Sequence, residues 1–186
     1  MIAALERPLW AAGGSATDPP PQPRLRAVGC PAPHSEQSAG AGEHAARPRV
    51  LVVDDEPSMR LLCTINLRLV GFEVTEAEDG RRALEVARQE SFDLILLDVM
   101  LPDIGGYDVA RRLAEEDGTR HVPVVFLSAR TSNADLRRGF ELGAVDYITK
   151  PFDPIVLGEQ VEQILGRVER GEADEYRLEQ LAQLEE

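Results

Sequence analysis

From Arg49 onward, short apolar runs alternate with longer stretches whose apolar positions recur at helical spacing. The runs are VLVVDD (50–55), FEVTEA (72–77), DLILLD (93–98), VPVVFLS (122–128) and VDYITK (145–150). Three of them are nearly continuous valine, isoleucine and leucine, which suits strands buried on both faces of a parallel sheet. The stretches between them predict helices over Ser58 to Val70, stopped by Gly71, over Arg81 to Gln89, over Tyr107 to Glu116, and over Asn133 to Leu142, stopped by Gly143. A fifth helix is expected after Asp153, an N-cap residue followed by Pro154 at the first helical position, where its missing N–H does no harm. Strands alternating with helices in this way predict a doubly wound α/β fold, an open five-stranded parallel sheet with right-handed crossovers.

The flanking segments read differently. Residues 1–48 are rich in proline, alanine and glycine and hold no sustained period, so they cannot bury enough apolar surface to offset their ordering entropy. A disordered extension is expected there, followed by one domain over 49–168. Residues 169–186 are expected to form an acidic helical tail. Leu178, Leu181 and Leu184 are spaced too evenly and span too little for a coiled-coil heptad. From Val156 to Glu186, nine acids face three arginines.

Charge narrows the partners. The formal charge of −13 disfavours non-specific contact with nucleic acid or anionic lipid. Cys30 and Cys63 lack metal-type spacing, and no apolar run approaches the ~18 residues of a membrane span. The expectation is a soluble cytoplasmic protein with no direct nucleic-acid or membrane partner.

In an open parallel sheet, ligands gather beyond the carboxyl ends of the strands. Here the first run ends in Asp54 and Asp55, the third in Asp98, the fourth in Ser128 and the fifth in Lys150. Clustered carboxylates need a cation beside them, and a hard divalent ion such as Mg²⁺ suits oxygen donors while leaving room for phosphate. A carboxylate can also attack phosphorus to form an aspartyl phosphate. Lys150 is the only lysine of the chain, against 19 arginines. A compact ammonium can reach a carboxylate and a phosphate oxygen together, where the planar guanidinium imposes another geometry.

These motifs, VLVVDDEPSMR, DLILLDVMLPDIGGYDV, VVFLSAR and GAVDYITKPF, resemble the receiver domain of two-component response regulators. The resemblance covers residues 49 to about 168. It implies the chemotaxis-regulator, flavodoxin-like strand order 2-1-3-4-5. It further implies Asp98 as phosphoryl acceptor, and Mg²⁺ held by Asp54, Asp55, Asp98 and the backbone carbonyl of Met100. Lys150 would contact the phosphoryl group, with Pro151 after it in a cis peptide bond. Ser128 would be the switch hydroxyl and Tyr147 the switch aromatic, moving inward in the active state. Met100 and Arg130 would flank the site and tune the phosphoryl lifetime. Pro102, Gly105 and Gly106 fit the loop after the acceptor strand, the glycines being expected to supply backbone angles barred to other residues.

The implied function is a switch rather than an enzyme. A sensor histidine kinase or phosphotransfer protein would load Asp98, slow autodephosphorylation would clear it, and a downstream protein target or a homodimer would read the result on the face of the fourth helix, fifth strand and fifth helix. Only about 16 residues follow the predicted fifth helix, too few for another stable domain, so a stand-alone receiver is expected. The alternative is a fragment of a longer regulator with a DNA-binding or enzymatic output domain. An aspartyl-phosphate phosphohydrolase of the haloacid-dehalogenase type is disfavoured, because such enzymes carry a second acid where this chain has Met100.

Overall fold

The computed structural model describes residues 47–129 and 132–184. The expected disorder of the N-terminal extension, Cys30 and the flanking Arg130 lie outside that range. Five strands, β1 (Arg49–Val53), β2 (Glu73–Ala77), β3 (Leu94–Asp98), β4 (Val124–Ser128) and β5 (Asp146–Thr149), form one parallel sheet in the order β2-β1-β3-β4-β5. Between and after them run α1 (Pro57–Leu69), α2 (Gly80–Gln89), α3 (Gly106–Glu115), α4 (Asn133–Glu141), α5 (Pro154–Glu169) and α6 (Ala173–Gln183).

Alternation along the central strands builds two cores. Leu51, Val53, Ile95, Leu97 and Phe126 point to one face, where α2 and α3 bring Leu84, Val86, Val109 and Leu113. Val50, Val52, Leu94, Leu96, Val125 and Leu127 point to the other, where α1 and α5 bring Cys63, Leu67, Leu157 and Val161. Both faces of β3 and β4 are thus buried along their whole length, and this is why these runs carry no polar alternation until their last residue. The edge strands β2 and β5 are only partly covered, and theirs is the mixed sequence.

Helix ends follow local chemistry. Asp153 caps α5 by accepting from the Ile155 N–H at 2.9 Å, with Pro154 next in the chain. Gly71 and Gly143 adopt positive φ, 104° and 94°, as the residues that turn the chain out of α1 and α4. Gly105 and Gly106 do not: neither has a positive φ, so the expectation of barred backbone angles is corrected. Gly106 is required for space, because a Cβ there would overlap the backbone carbonyl of Asp98 and lie 2.9 Å from the Val99 Cα.

The last helix lies against α4 and α5. Tyr176 of α6 stacks beneath the Arg167 guanidinium at 3.9 Å and places its hydroxyl 3.4 Å from Asp146. The Arg137 guanidinium donates to the Leu184 carbonyl at 2.9 Å. No residue of α6 is itself buried, so it is seated by polar and cation–π contacts rather than by a core stripe.

Candidate functional site

Parallel register carries the strand ends to one edge of the sheet. Val53 lies opposite Leu97, so Asp54 follows beside Asp98; Asp98 lies opposite Leu127 and Ser128 opposite Thr149. The Lys150 N–H donates to the Ser128 carbonyl at 2.9 Å, extending the ladder by one residue and fixing where the lysine leaves the strand. The Lys150–Pro151 peptide bond is cis, as the resemblance implies.

Lys150 reaches across the edge. Its Nζ donates to Asp54 Oδ2 at 2.5 Å and to Asp98 Oδ2 at 2.5 Å. The other oxygen of each carboxylate takes a backbone N–H two residues on: Asp54 Oδ1 accepts from Glu56 at 2.9 Å and Asp98 Oδ1 from Met100 at 2.8 Å. Asp54 is fully buried, Asp98 is 6% exposed, and Asp55 stands in solvent. Burial pushes the Asp54 carboxyl up, and the bonds from Lys150 and Glu56 pull it back only in part. Burial works against the Lys150 ammonium too, but its bonds to Asp54 and Asp98 outweigh it and hold the group above its ordinary range.

One ammonium therefore faces three carboxylates, and an oxygen from each of Asp54, Asp55 and Asp98 lies within 4.8 Å of the others. That surplus of negative charge, on hard oxygen donors with one member open to solvent, fits a divalent cation such as Mg²⁺. Ser128, 1% exposed, ends the neighbouring strand. Met100 brings its N–H to Asp98 and leaves its side chain 55% exposed at the rim. Tyr147 points elsewhere. Its ring packs on Phe126 and Phe140 at centroid distances of 5.2 and 5.3 Å, and its hydroxyl donates to the Asp135 carbonyl at 3.1 Å. Burial, then the neighbouring Tyr107 hydroxyl, push the Tyr147 phenol well up.

Two supporting residues have no conspicuous sequence signal. Arg60, one turn into α1, donates to the Asp54 carbonyl at 2.7 Å and holds the backbone that presents the carboxylate. Asp103, in the loop after β3, accepts from the N–H groups of Gly80 and Arg81 at 2.9 and 3.0 Å. Together with Asp79, which accepts from Arg82 at 2.7 Å, it satisfies the first donors of α2 and ties the loop after β3 to that helix. Slight desolvation raises the Asp103 carboxyl, but N–H groups of Ile104, Gly80 and Arg81 outweigh it and hold the group below its ordinary 3.8. Asp103→Ala is expected to cost about 1 kcal/mol at pH 7. Because the folded-state value is depressed, that contribution is present above the unfolded value and lost as pH falls through the folded one. Urea unfolding of both proteins at pH 7 and pH 3 should show the difference shrinking at the lower pH.

The sequence profile of the response regulator receiver domain matches residues 50–162. The chain is 44% identical over 126 residues to the DNA-binding response regulator MtrA of Mycolicibacterium smegmatis, covering 68% of this chain and 53% of that one. It is 41% identical over 123 residues to the DNA-binding dual master transcriptional regulator RpaA of a Synechocystis species, covering 66% and 51%. The crystal structure of the chemotaxis protein CheY4 of Vibrio cholerae superposes with a TM-score of 0.61 at 32% identity, over 64% of this chain and 99% of that one. The chain thus spans about half the length of the curated relatives it matches.

Proposed function

The chain belongs to the response regulator receiver family, and from that premise we propose that Asp98 accepts a phosphoryl group from a histidine kinase or phosphotransfer protein and that the domain signals by the resulting change of shape. The bridge made by Lys150, 2.5 Å from both Asp54 and Asp98 within a three-carboxylate cluster, supports this most directly. In the proposed transfer an Asp98 carboxylate oxygen bonds to phosphorus as the bond from phosphorus to the donor imidazole nitrogen breaks, and the imidazole leaves with the electron pair.

Asp54, Asp55 and Asp98, with the Met100 carbonyl, would hold Mg²⁺, which would supply fixed positive charge for the phosphoryl oxygens. Lys150 moves its hydrogen bond from the carboxylate to a phosphoryl oxygen. Ser128 donates its hydroxyl to another, and Tyr147 responds to the shift of the neighbouring strand. Slow hydrolysis of the aspartyl phosphate resets the switch, so the chain is not a dedicated enzyme.

A downstream protein, or a second copy, would read the face of α4, β5 and α5. The chain's net charge of −13 favours protein over nucleic acid as its direct partner. The location proposed with this reading is cytoplasmic; among the described residues no helix is long and apolar enough to cross a membrane.

The test is intact-protein mass after incubation with acetyl phosphate and Mg²⁺. One phosphoryl adduct is expected in the parent, none in Asp98→Asn and none when Mg²⁺ is chelated. An adduct that persists in Asp98→Asn would assign the acceptor elsewhere.

A second reading is favoured by the half-length match: the receiver half of a DNA-binding regulator like its named relatives. The protein recovered from its native cells decides between them, by a mass near 20.4 kDa or one larger by an output domain of roughly 100 residues.

A further inference from the structure

The seat of Tyr147 depends on a missing side chain. The Tyr147 hydroxyl lies between α3 and α4, 3.1 Å from the Asp135 carbonyl and 3.4 Å from the Tyr107 hydroxyl. Tyr107 also reaches the same carbonyl, at 3.1 Å. What opens the space is Gly139, one turn further along α4. A Cβ built at Gly139 would lie 1.7 Å from the Tyr147 hydroxyl oxygen and 2.8 Å from its Cε2. Gly139 is buried and sits inside a helix where glycine is otherwise costly. Its φ is ordinary, so backbone freedom is not the reason for a glycine.

We propose that Gly139 is the positioning residue of the switch aromatic: its bare Cα forms the slot that lets Tyr147 seat its hydroxyl on α4 and couples that helix to the phosphoryl site. The coupling route is short. Tyr147 is three residues before Lys150 on β5, and β5 pairs with the strand ending in Ser128. A seated Tyr147 fixes β5 and α4 relative to each other, so a substitution that expels the ring changes both the helix face and the end of the strand that carries Lys150. The coupling part rests on Asp98 being the phosphoryl acceptor; the slot itself does not.

Four full-length proteins form the test: parent, Gly139→Ala, Tyr147→Ala and the double variant. Helix preference alone makes alanine better than glycine inside α4, so a glycine without a role would give a higher Tm on Gly139→Ala. The slot predicts the opposite, a lower Tm with Tyr147 present and a raised one when Tyr147 is already alanine. For coupling, half-saturation by beryllofluoride with Mg²⁺ is expected to need about tenfold more mimic in Gly139→Ala than in the parent, with no further change from Gly139→Ala in the Tyr147→Ala background. A Tm that rises in both backgrounds, or equal losses of mimic affinity with and without Tyr147, overturns the slot. A parent that takes no beryllofluoride overturns the acceptor reading and the coupling with it, while the melting comparison, which needs no ligand, still decides the slot.

Discussion

Lys150→Met is expected to lower the stability of the protein by about 3 kcal/mol in metal-free buffer at pH 7, because it strands a buried carboxylate pair without its counter-ion. Methionine keeps the length and apolar stem of lysine, so packing along the stem is largely retained and the loss reports the ammonium. Asp54 has no exposed surface and Asp98 little, so water can replace the ammonium at neither without opening the strand ends. Their second oxygens are already committed to the N–H groups of Glu56 and Met100. Millimolar Mg²⁺ should restore a larger share of stability to the variant than it adds to the parent, since the ion then offsets the carboxylate charge that the ammonium no longer does. Chemical denaturation with and without Mg²⁺ measures both effects. A loss below about 1 kcal/mol would mean that the carboxylates take up protons instead and that the bridge contributes little. Lys150→Arg separates charge from shape: it keeps the charge, but a guanidinium cannot set one nitrogen against both carboxylates in the space the ammonium fills.

Gly106→Ala is expected to cost about 3 kcal/mol, at the upper end of overpacking changes. The added methyl would meet the Asp98 carbonyl and the Val99 Cα, and these are backbone atoms of a central strand and its exit, with no rotamer to change. Relief has to come from moving α3 or the loop after β3. The Gly106 N–H, which donates to the Val99 carbonyl at 3.0 Å, would be displaced in the same movement. The adjacent Gly105→Ala is the control. A Cβ there finds only the Val99 carbonyl, at 3.9 Å, and the backbone φ of −58° suits any residue, so its unfolding free energy should lie within about 0.5 kcal/mol of the parent. Equal losses at the two positions would mean that loop flexibility rather than close approach is what glycine provides.

Sequence pattern was most informative where burial is complete. β1, β3 and β4 stand out because strands covered on both faces tolerate no polar residue until they reach the edge, and that same rule marks Asp54, Asp98 and Ser128 as the first polar groups beyond it. Lys150 follows an edge strand of mixed sequence and stands out instead as the only lysine of the chain. Contacts between distant segments leave weaker traces. Asp103 caps a helix that begins 23 residues earlier in the chain, and nothing local distinguishes it from any loop aspartate. Gly139 resembles a tolerated helix glycine until the Tyr147 ring is placed beside it. For Gly105 and Gly106 after β3 the expected reason is wrong, since sequence cannot separate a need for positive φ from a need for space. The tail from 169 read as solvated and acidic, but its attachment through Tyr176, Arg167 and Asp146 joins three elements and has no periodic signature.

The Lys150 clamp also gives the chain a chemical address. It holds the only lysine ε-amine in these 186 residues, so among their side chains amine acylation has one target, the centre of the carboxylate cluster. Protonated and pinned between two carboxylates, that nitrogen lacks the free lone pair an acylating reagent needs. Label arriving there marks the moments when the clamp is open, and the chain thereby carries its own footprinting probe at the carboxylate cluster.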